Sequence, residues 1–434
     1  MGLAAVSRPV DVGVINKSRE NQPEAPARAD ASPRFRFRTV RSARPRWRFG
    51  LGCCHVSLLS RQRGDQLAEA GRRARGDGPL AAGRGATRAA SEVDATIVRC
   101  RLRAAQLLNA ESSDRIIFTF NGTDSLNLAI HGTLKPGDHV VTSTLEHNSV
   151  LRPLRELRQR IGIETTFIEP DANGRVEPTK FRAALRPNTR LVSLIHASNV
   201  TGVIQPIDDV GTIARQAGAL MLIDAAQTAG HLPIDVRNSP IDLLACPGHK
   251  GLLGPLGTGL LYLRPGLEQH VASFRQGGTG SLSEDDRQPE RLPDKYESGN
   301  HNAPGLFGLE AALEYVQQRT VLDLRRHELV LRRRAIDALA ELKSVRLFAA
   351  DLSDDFVVGV LSFVLDGFDP QEVAAILDHD FQIQVRAGLH CAPGAHRSQG
   401  TLSSGGTVRV SFGPSTTTEN VDQLVAALRN LAGE

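Results

Sequence analysis

Between residues 115 and 263, short runs of apolar and β-branched residues recur with helical patterns between them, and this alternation restricts the fold more than any other feature of the chain. The runs are "RIIFTF" (115–120), "DHVVTS" (138–143), "RLVSLIH" (190–196), "ALMLIDA" (219–225), "IDLLAC" (241–246) and "TGLLYL" (258–263). Turn residues bound each of them, as strands require. Between most of them lie "DSLNLAIHGTL", "SVLRPLRELRQRI", "EPTKFRAALR" and "PIDDVGTIARQAG"; the last opens on proline and closes at Gly218, as helices do. Strands that are apolar throughout and alternate with helices imply a mostly parallel α/β sheet covered on both faces. Ligands of such sheets bind beyond the carboxyl ends of the strands.

A long polar stretch, residues 277–305, follows. Beyond it come two helical segments (306–319 and 321–342), then "VVGVLSFVL" (357–365), a helix from Pro370, "FQIQV", "TVRVSF" (407–412) and a final helix from about residue 418. This predicts a large domain over 81–305 and a smaller α+β domain over 306–434. Apolar residues make up 41% and charged residues 23% of the 434, an ordinary globular balance. No run approaches the roughly 20 apolar residues of a membrane helix. The opening "MGLAAVSRPVDVG" lacks the basic region and apolar core of a secretory signal. Cysteines 53, 54, 100, 246 and 391 form no metal-ligand pattern, and a reducing, cytoplasmic setting is expected. The net charge of +4 is local, because residues 1–80 hold 15 arginines.

Three strand ends carry polar groups that an apolar sheet does not need. "FNGTDSLN" (120–127) passes from a strand through Gly122 and Thr123 into a helix N-terminus, where free amides suit a phosphate as well as an ordinary cap. In "LIDAAQTAG" (222–230), Asp224 ends an apolar strand with Gln227 beyond it. There a carboxylate either caps a helix or pairs with a buried cation. In "DLLACPGHKGLLGP" (242–255), Lys250 stands among glycines beside His249. Pyridoxal 5'-phosphate requires this set together: a phosphate cradle, a carboxylate for its ring nitrogen and a lysine for Schiff-base chemistry. An apolar pocket and a nearby cation both lower a lysine's proton affinity, which favours that chemistry.

From about residue 83 ("GRGATR") to the C-terminus the chain resembles the class V aminotransferase-fold enzymes that use pyridoxal phosphate, specifically the cysteine desulfurase and selenocysteine lyase group. The resemblance runs through "TLEHNSVLRPL", "HASNVTGVIQPI", "DAAQTAGHLPIDV", "GHKGLLGPLGTG", "GGTGS", "ESGNHNAPG" and "RAGLHCAPGAH". It implies the aspartate aminotransferase-like fold type I. It also implies that Lys250 forms the Schiff base, Asp224 pairs with the ring nitrogen and His147 stacks on the ring. Gln227 bonds the ring oxygen, with Asn199 near that oxygen and the substrate carboxylate. Thr123, His249 and the Gly122 backbone contact the phosphate. Arg409 clamps the substrate carboxylate, with Arg386 at the substrate site, and Thr279 reaches the phosphate of a second copy in a homodimer. Taken singly, His147 reads as a surface histidine, Asn199 as a turn former before Gly202, and Arg409, between Val408 and Val410, as solvent-side charge.

The reaction is read from Cys391, which the resemblance makes the nucleophile. "RAGLHCAPGAH" (386–396) sets it in a loop with Arg386, His390 and His396, and nearby cations favour a thiolate. The implied activity converts L-cysteine to L-alanine with the sulfur carried on Cys391 as a persulfide and passed to a sulfur-acceptor protein. Selenocysteine lyase, aminotransferase, epimerase or carbon–sulfur lyase activity is the alternative within the group. Two departures stand out: Pro247 where the group usually has a hydroxyl residue, and no opening "YLDNAAT"-like strand. In its place residues 1–80 are arginine-dense text that reads as disordered or as a misread frame. Targeting peptide and basic binding arm are the competing readings. An inert relative that binds nucleic acid through that arm, with its Trp47, is the reading from another class; the intact Lys250 set argues against it.

Overall fold

The computed structural model describes residues 88–434 apart from Ser283. The arginine-rich segment, with Trp47, Cys53 and Cys54, lies outside the described residues.

The chain enters through α1 (Arg88–Leu108) and β1 (Ile116–Thr119). Then α2 (Gly122–Thr133), β2 (His139–Ser143), α3 (Asn148–Ile161), β3 (Glu164–Ile168), α4 (Pro178–Ala184) and β4 (Thr189–Ile195) alternate. They are followed by α5 (Ile207–Gln216), β5 (Leu220–Asp224), β6 (Leu243–Pro247) and β7 (Gly259–Leu263). The seven strands form one sheet in the order β1-β7-β6-β5-β4-β2-β3. The pairs β2–β3, β2–β4, β4–β5 and β5–β6 are parallel, and β7 runs antiparallel to both β6 and β1. The sheet is thus mostly parallel, as the alternation predicts.

Burial on both faces explains why its central strands read as unbroken apolar runs. Ile116, Val141, Met221, Ile223 and Leu244 pack into one core, while their neighbours Ile117, Val140, Leu222 and Leu243 pack into another. Each such side chain contributes about 1.5–3 kcal/mol on burial. The edge strand β3 is only partly buried, so it lacks the apolar run that marks the others.

After the loop come α6 (Ala303–Arg319) and α7 (Val321–Leu339), then β8 (Val345–Phe348), β9 (Val360–Leu365), α8 (Pro370–Phe381) and β10 (Arg386–Gly388). Next are α9 (Pro393–Ser398), β11 (Thr407–Ser411) and α10 (Thr418–Ala432). The second sheet is antiparallel, in the order β10-β11-β9-β8. Its core joins Leu361, Phe363, Val408 and Val410 to Leu331, Leu339, Leu377 and Leu424. Leu306, Leu309 and Leu313 of α6 instead belong to a core of the first sheet. "FQIQV" is not a strand. Phe381 ends α8, Gln382 turns left-handed with φ 58°, and pairing begins only at Arg386.

The segment leaving β4 ties the two sheets together. Ile204 N donates to Phe356 O at 2.8 Å, Val358 N donates to Gly202 O at 3.0 Å, and Ser362 Oγ donates to Val200 O. Those bonds fix the second sheet over the carboxyl ends of the first.

Candidate active site

A cleft open to solvent lies at that junction. Gln227, His231, His249 and Lys250 line it from the first sheet, and Val360, Arg386, Arg409 and Phe412 from the second. Asp224 ends β5 and Lys250 follows the adjacent β6, so parallel pairing of these strands brings the carboxylate and amine to one end of the sheet. Asp224 is 3% exposed and its Oδ1 accepts from Ala226 N at 2.9 Å. Burial pushes its carboxyl above the usual range, against the opposing effects of Lys250 and that hydrogen bond.

His147 sits at the start of α3, where its Nδ1 accepts from Ser149 N at 3.1 Å and lies 2.8 Å from Ser149 Oγ. With Nδ1 the acceptor, the neutral ring carries its proton on Nε2. Burial, then the charges of Lys250, Arg386, Arg152 and Arg409, lower its pKa to about 4, so the ring stays neutral. Ser149 Oγ also meets Thr123 Oγ1 at 2.8 Å. This links the first turn of α2 to the imidazole through one hydroxyl. The sequence reading passed over Ser149, although it stands within the quoted "LEHNSV".

Cys391 is exposed, and Arg386 Nη2 donates to its Sγ at 3.7 Å. Cys100 and Cys246 are buried, and burial pushes both thiols up to about 12. Two of the expected neighbouring cations are not cations. His390 is 2% exposed with its pKa lowered to about 2, and His396 is fully buried with its pKa lowered to about 4. In both, burial is the main cause, because it disfavours the charged ring. His390 Nε2 bonds the carbonyl and hydroxyl of Thr407, each at 3.1 Å, and His396 Nδ1 meets Thr401 Oγ1 at 2.8 Å. They shape the loop rather than charge it.

The loop backbone is held from the first sheet. His390 and Cys391 both have left-handed backbones, φ 49° and 60°, costly for residues with a Cβ. Asn199 Nδ2 donates to His390 O at 2.6 Å, and Asn148 N donates to Cys391 O at 2.8 Å. Arg409 is 6% exposed and its Nη1 donates to Asn199 O at 2.7 Å, which overturns its reading as solvent-side charge. The turn reading of Asn199 falls short too, since its side chain reaches the Cys391 loop.

Several features fit pyridoxal phosphate. At the N-terminus of α2 the Asp124 amide is already capped by Asn121 Oδ1 at 2.9 Å, which leaves the first two residues, Gly122 and Thr123, to meet a phosphate. His249 Nδ1 and Asn199 Oδ1 are buried without hydrogen-bond partners, acceptors or donors that a bound polar molecule would satisfy. Asp224 is a buried carboxylate that a cationic ring nitrogen would complement. Pro247 is the discordant residue: it ends β6 against Gly122, where a Cβ would lie 3.1 Å from Pro247 Cδ, and it offers no donor. Thr279 lies outside the cleft lining, with its hydroxyl 3.0 Å from Ser281 Oγ.

Residues 77–424 match the family model described as Aminotransferase class-V. The chain belongs to the aminotransferase class-V family. A probable cysteine desulfurase of Methanothermobacter thermautotrophicus is 35% identical to this class V chain over 81% of it and 87% of the relative. A cysteine desulfurase of Yersinia pestis is 31% identical over 82% and 87% of the two chains. The apo structure of a cysteine desulfurase from Thermococcus onnurineus superposes with a TM-score of 0.78 at 32% identity, covering 85% of this chain and 92% of that one. A cysteine desulfurase from Escherichia coli, in an S-sulfonic acid form, gives a TM-score of 0.76 at 30% identity, with 85% and 91% covered.

Proposed function

We propose that this class V chain is a pyridoxal-phosphate-dependent cysteine desulfurase that converts L-cysteine to L-alanine and keeps the sulfur on Cys391. One observation carries the reading: the exposed Cys391 thiol is bonded to Arg386, which lines the same cleft as Lys250. Lys250 would hold the cofactor covalently, Asp224 its ring nitrogen and Gln227 its ring oxygen. His147 would hold its ring face, and Thr123, His249 and the backbone at Gly122 its phosphate. When bound, the cofactor withdraws electrons from the substrate α-carbon.

The protein's own groups account for the rest. Arg409 and Arg386 supply planar donors for the substrate carboxylate, and Asn199 lies between that subsite and the Cys391 loop. The Lys250 amine would take and return a proton at the substrate carbon. The Cys391 sulfur, as thiolate, attacks the substrate sulfur. A sulfur–sulfur bond forms as the carbon–sulfur bond breaks, the electron pair stays with carbon, and a proton there completes alanine. The persulfide then passes to an acceptor protein.

We further propose a cytoplasmic homodimer in which Thr279 of one copy serves the phosphate site of the other. Cys100, Cys246 and Cys391 are free thiols, which suits a reducing compartment. No helix among the described residues is long and apolar enough to cross a membrane. Residues 306–434 would act as the smaller domain, with α6 as the connection that stays packed on the first.

The test is to incubate the purified, cofactor-loaded protein with L-cysteine and measure alanine and Cys391 persulfide together. Cys391→Ala should keep the cofactor absorbance and lose at least about 99% of alanine formation, as removal of a nucleophile does. Alanine release that is unchanged in that variant would remove the desulfurase reading.

A further inference from the structure

Behind Lys250 lies a largely buried imidazole–carboxylate pair that none of the roles above uses. His231 lines the cleft and belongs to the first-sheet segment that follows β5; Glu328 comes from the middle of α7. His231 Nδ1 lies 2.9 and 3.1 Å from the two carboxylate oxygens of Glu328, whose side chain is 2% exposed. The carboxylate has its own niche, since a Cβ on Gly359 would lie 2.9 Å from Glu328 Oε2.

The imidazole rests directly on the backbone that carries the lysine. A Cβ on Gly251 would stand 2.5 Å from His231 Cδ2, 2.7 Å from its Nε2 and 2.3 Å from Ala229 O. A Cβ on Gly230, whose φ is +85°, would stand 2.1 Å from Gly251 O. The two segments therefore interlock, and only glycine fits at both contacts. A side chain of the second sheet's helix thus reaches the residue after Lys250 through one histidine.

We propose that the Glu328–His231 pair is a positioning device for Lys250, bracing the backbone that carries the amine and keeping a positive charge behind it. The inference rests on the role given to Lys250 above. A buried carboxylate needs a partner, and His231 Nδ1, within reach of both oxygens, is the group that can donate to it. Burial alone would lower the His231 pKa; the charge of Glu328 and its hydrogen bond outweigh burial and raise it, while Lys250 and Arg325 oppose them. The pair presents its positive end to Lys250 and its negative end to α7. His147, His249 and Asp224 also face the amine, and Arg386 and Arg409 share the cleft. Among them Asp224 pulls toward the protonated amine, and the imidazolium counters it from the opposite segment. A cation beside a lysine favours the neutral, nucleophilic form.

The test reads Lys250 itself. The full chain without added cofactor is labelled with limiting acetic anhydride across a pH series, and acetylation of Lys250 is followed by peptide mass spectrometry, with Lys180 and Lys343 as internal references. Glu328→Gln, which keeps shape and removes charge, and His231→Asn should each raise the Lys250 midpoint by about half a pH unit or more, roughly a threefold change in the neutral fraction. The reference lysines should not move. If both variants keep a wild-type circular dichroism spectrum and a wild-type midpoint, the pair is structural only and the proposal is overturned. If Glu328→Gln alone folds, its midpoint decides. Borohydride fixation of added pyridoxal phosphate separates this result from the functional reading. A shifted midpoint with no adduct at Lys250 would leave the brace standing and remove the cofactor assignment.

Discussion

Glu146 immediately precedes His147 and is completely buried, with one oxygen accepting from Ser143 Oγ at 2.8 Å and Ile195 N at 2.9 Å. Its second oxygen has no partner. Burial raises its pKa to about 8, with Asp224 adding to the rise and those hydrogen bonds opposing it. At neutral pH this is therefore a neutral acid within electrostatic reach of the Asp224 carboxyl. The sign of its contribution follows. Between the ordinary value of 4.5 and about 8, the unfolded chain has lost this proton and the folded chain has kept it. Stability from this group is complete below the lower value and declines as pH rises through the window, by at most about 1.4 kcal/mol per pH unit. Glu146→Gln keeps the acceptor and removes the titration. Its stability relative to the parent should climb steadily from pH 5 to pH 8 in urea unfolding. A difference that stays constant over that range would show that Glu146 is ionised in the fold.

At the scale of elements, the loop between β10 and β11, which would carry the reaction, depends on the first sheet for its shape. Without Asn199 the carbonyl of His390 has lost its donor, and the left-handed pair His390–Cys391 keeps only one of the two bonds to its carbonyls. Asn199→Ala and Asn199→Asp, which both lack that donor, should speed amide hydrogen exchange over residues 389–392 and lower alanine formation at least about tenfold, since small displacements of a reacting group are costly. Exchange at wild-type rates in both would show that the loop holds its own conformation. The same loop marks what could be read from sequence and what could not. Lys250 and Asp224 announce themselves because polar groups at the ends of apolar strands need a reason, whereas Cys391 is marked by its basic neighbours and by the resemblance. The central strands were legible because both of their faces are buried. β3 and β8 are edge strands with mixed burial, and their short, half-polar text carries no such signal. His390 and His396 look like charge in a list of residues, yet burial makes them neutral. His231 and Glu328 lie 97 residues apart, and no local pattern joins them.

At the scale of the molecule, a second cleft lies among the elements around β1 and the loop that precedes α6. Phe118, Phe120, Gly257, Arg275, Glu297 and His301 line it. Beneath it Arg101 and Glu297 form a buried two-pronged ion pair, 2.6 and 2.7 Å, and Arg275 lies over the Phe120 ring at 5.2 Å. Around it the surface is unusually apolar for a face in water: Phe120, Leu256 and Phe274 are 47–50% exposed. Exposed aromatic and aliphatic groups close to a rigid ion-paired frame are the composition of a subunit interface. A second copy of the chain is the occupant that would also give Thr279 a site to serve. Phe274 stacks on His131 at 5.0 Å but leaves half of its surface open, so a charge there disturbs the interface more than the fold. Sedimentation of the full chain should therefore give a dimer. Phe274→Glu should shift it toward monomer, with cofactor affinity weakened roughly tenfold, because each phosphate site would lose one hydrogen bond to a charged group. A Phe274→Glu protein that stays dimeric with unchanged affinity would place the interface elsewhere. A wild-type protein that sediments as a monomer at micromolar concentration and still binds the cofactor tightly would show that one chain completes the site.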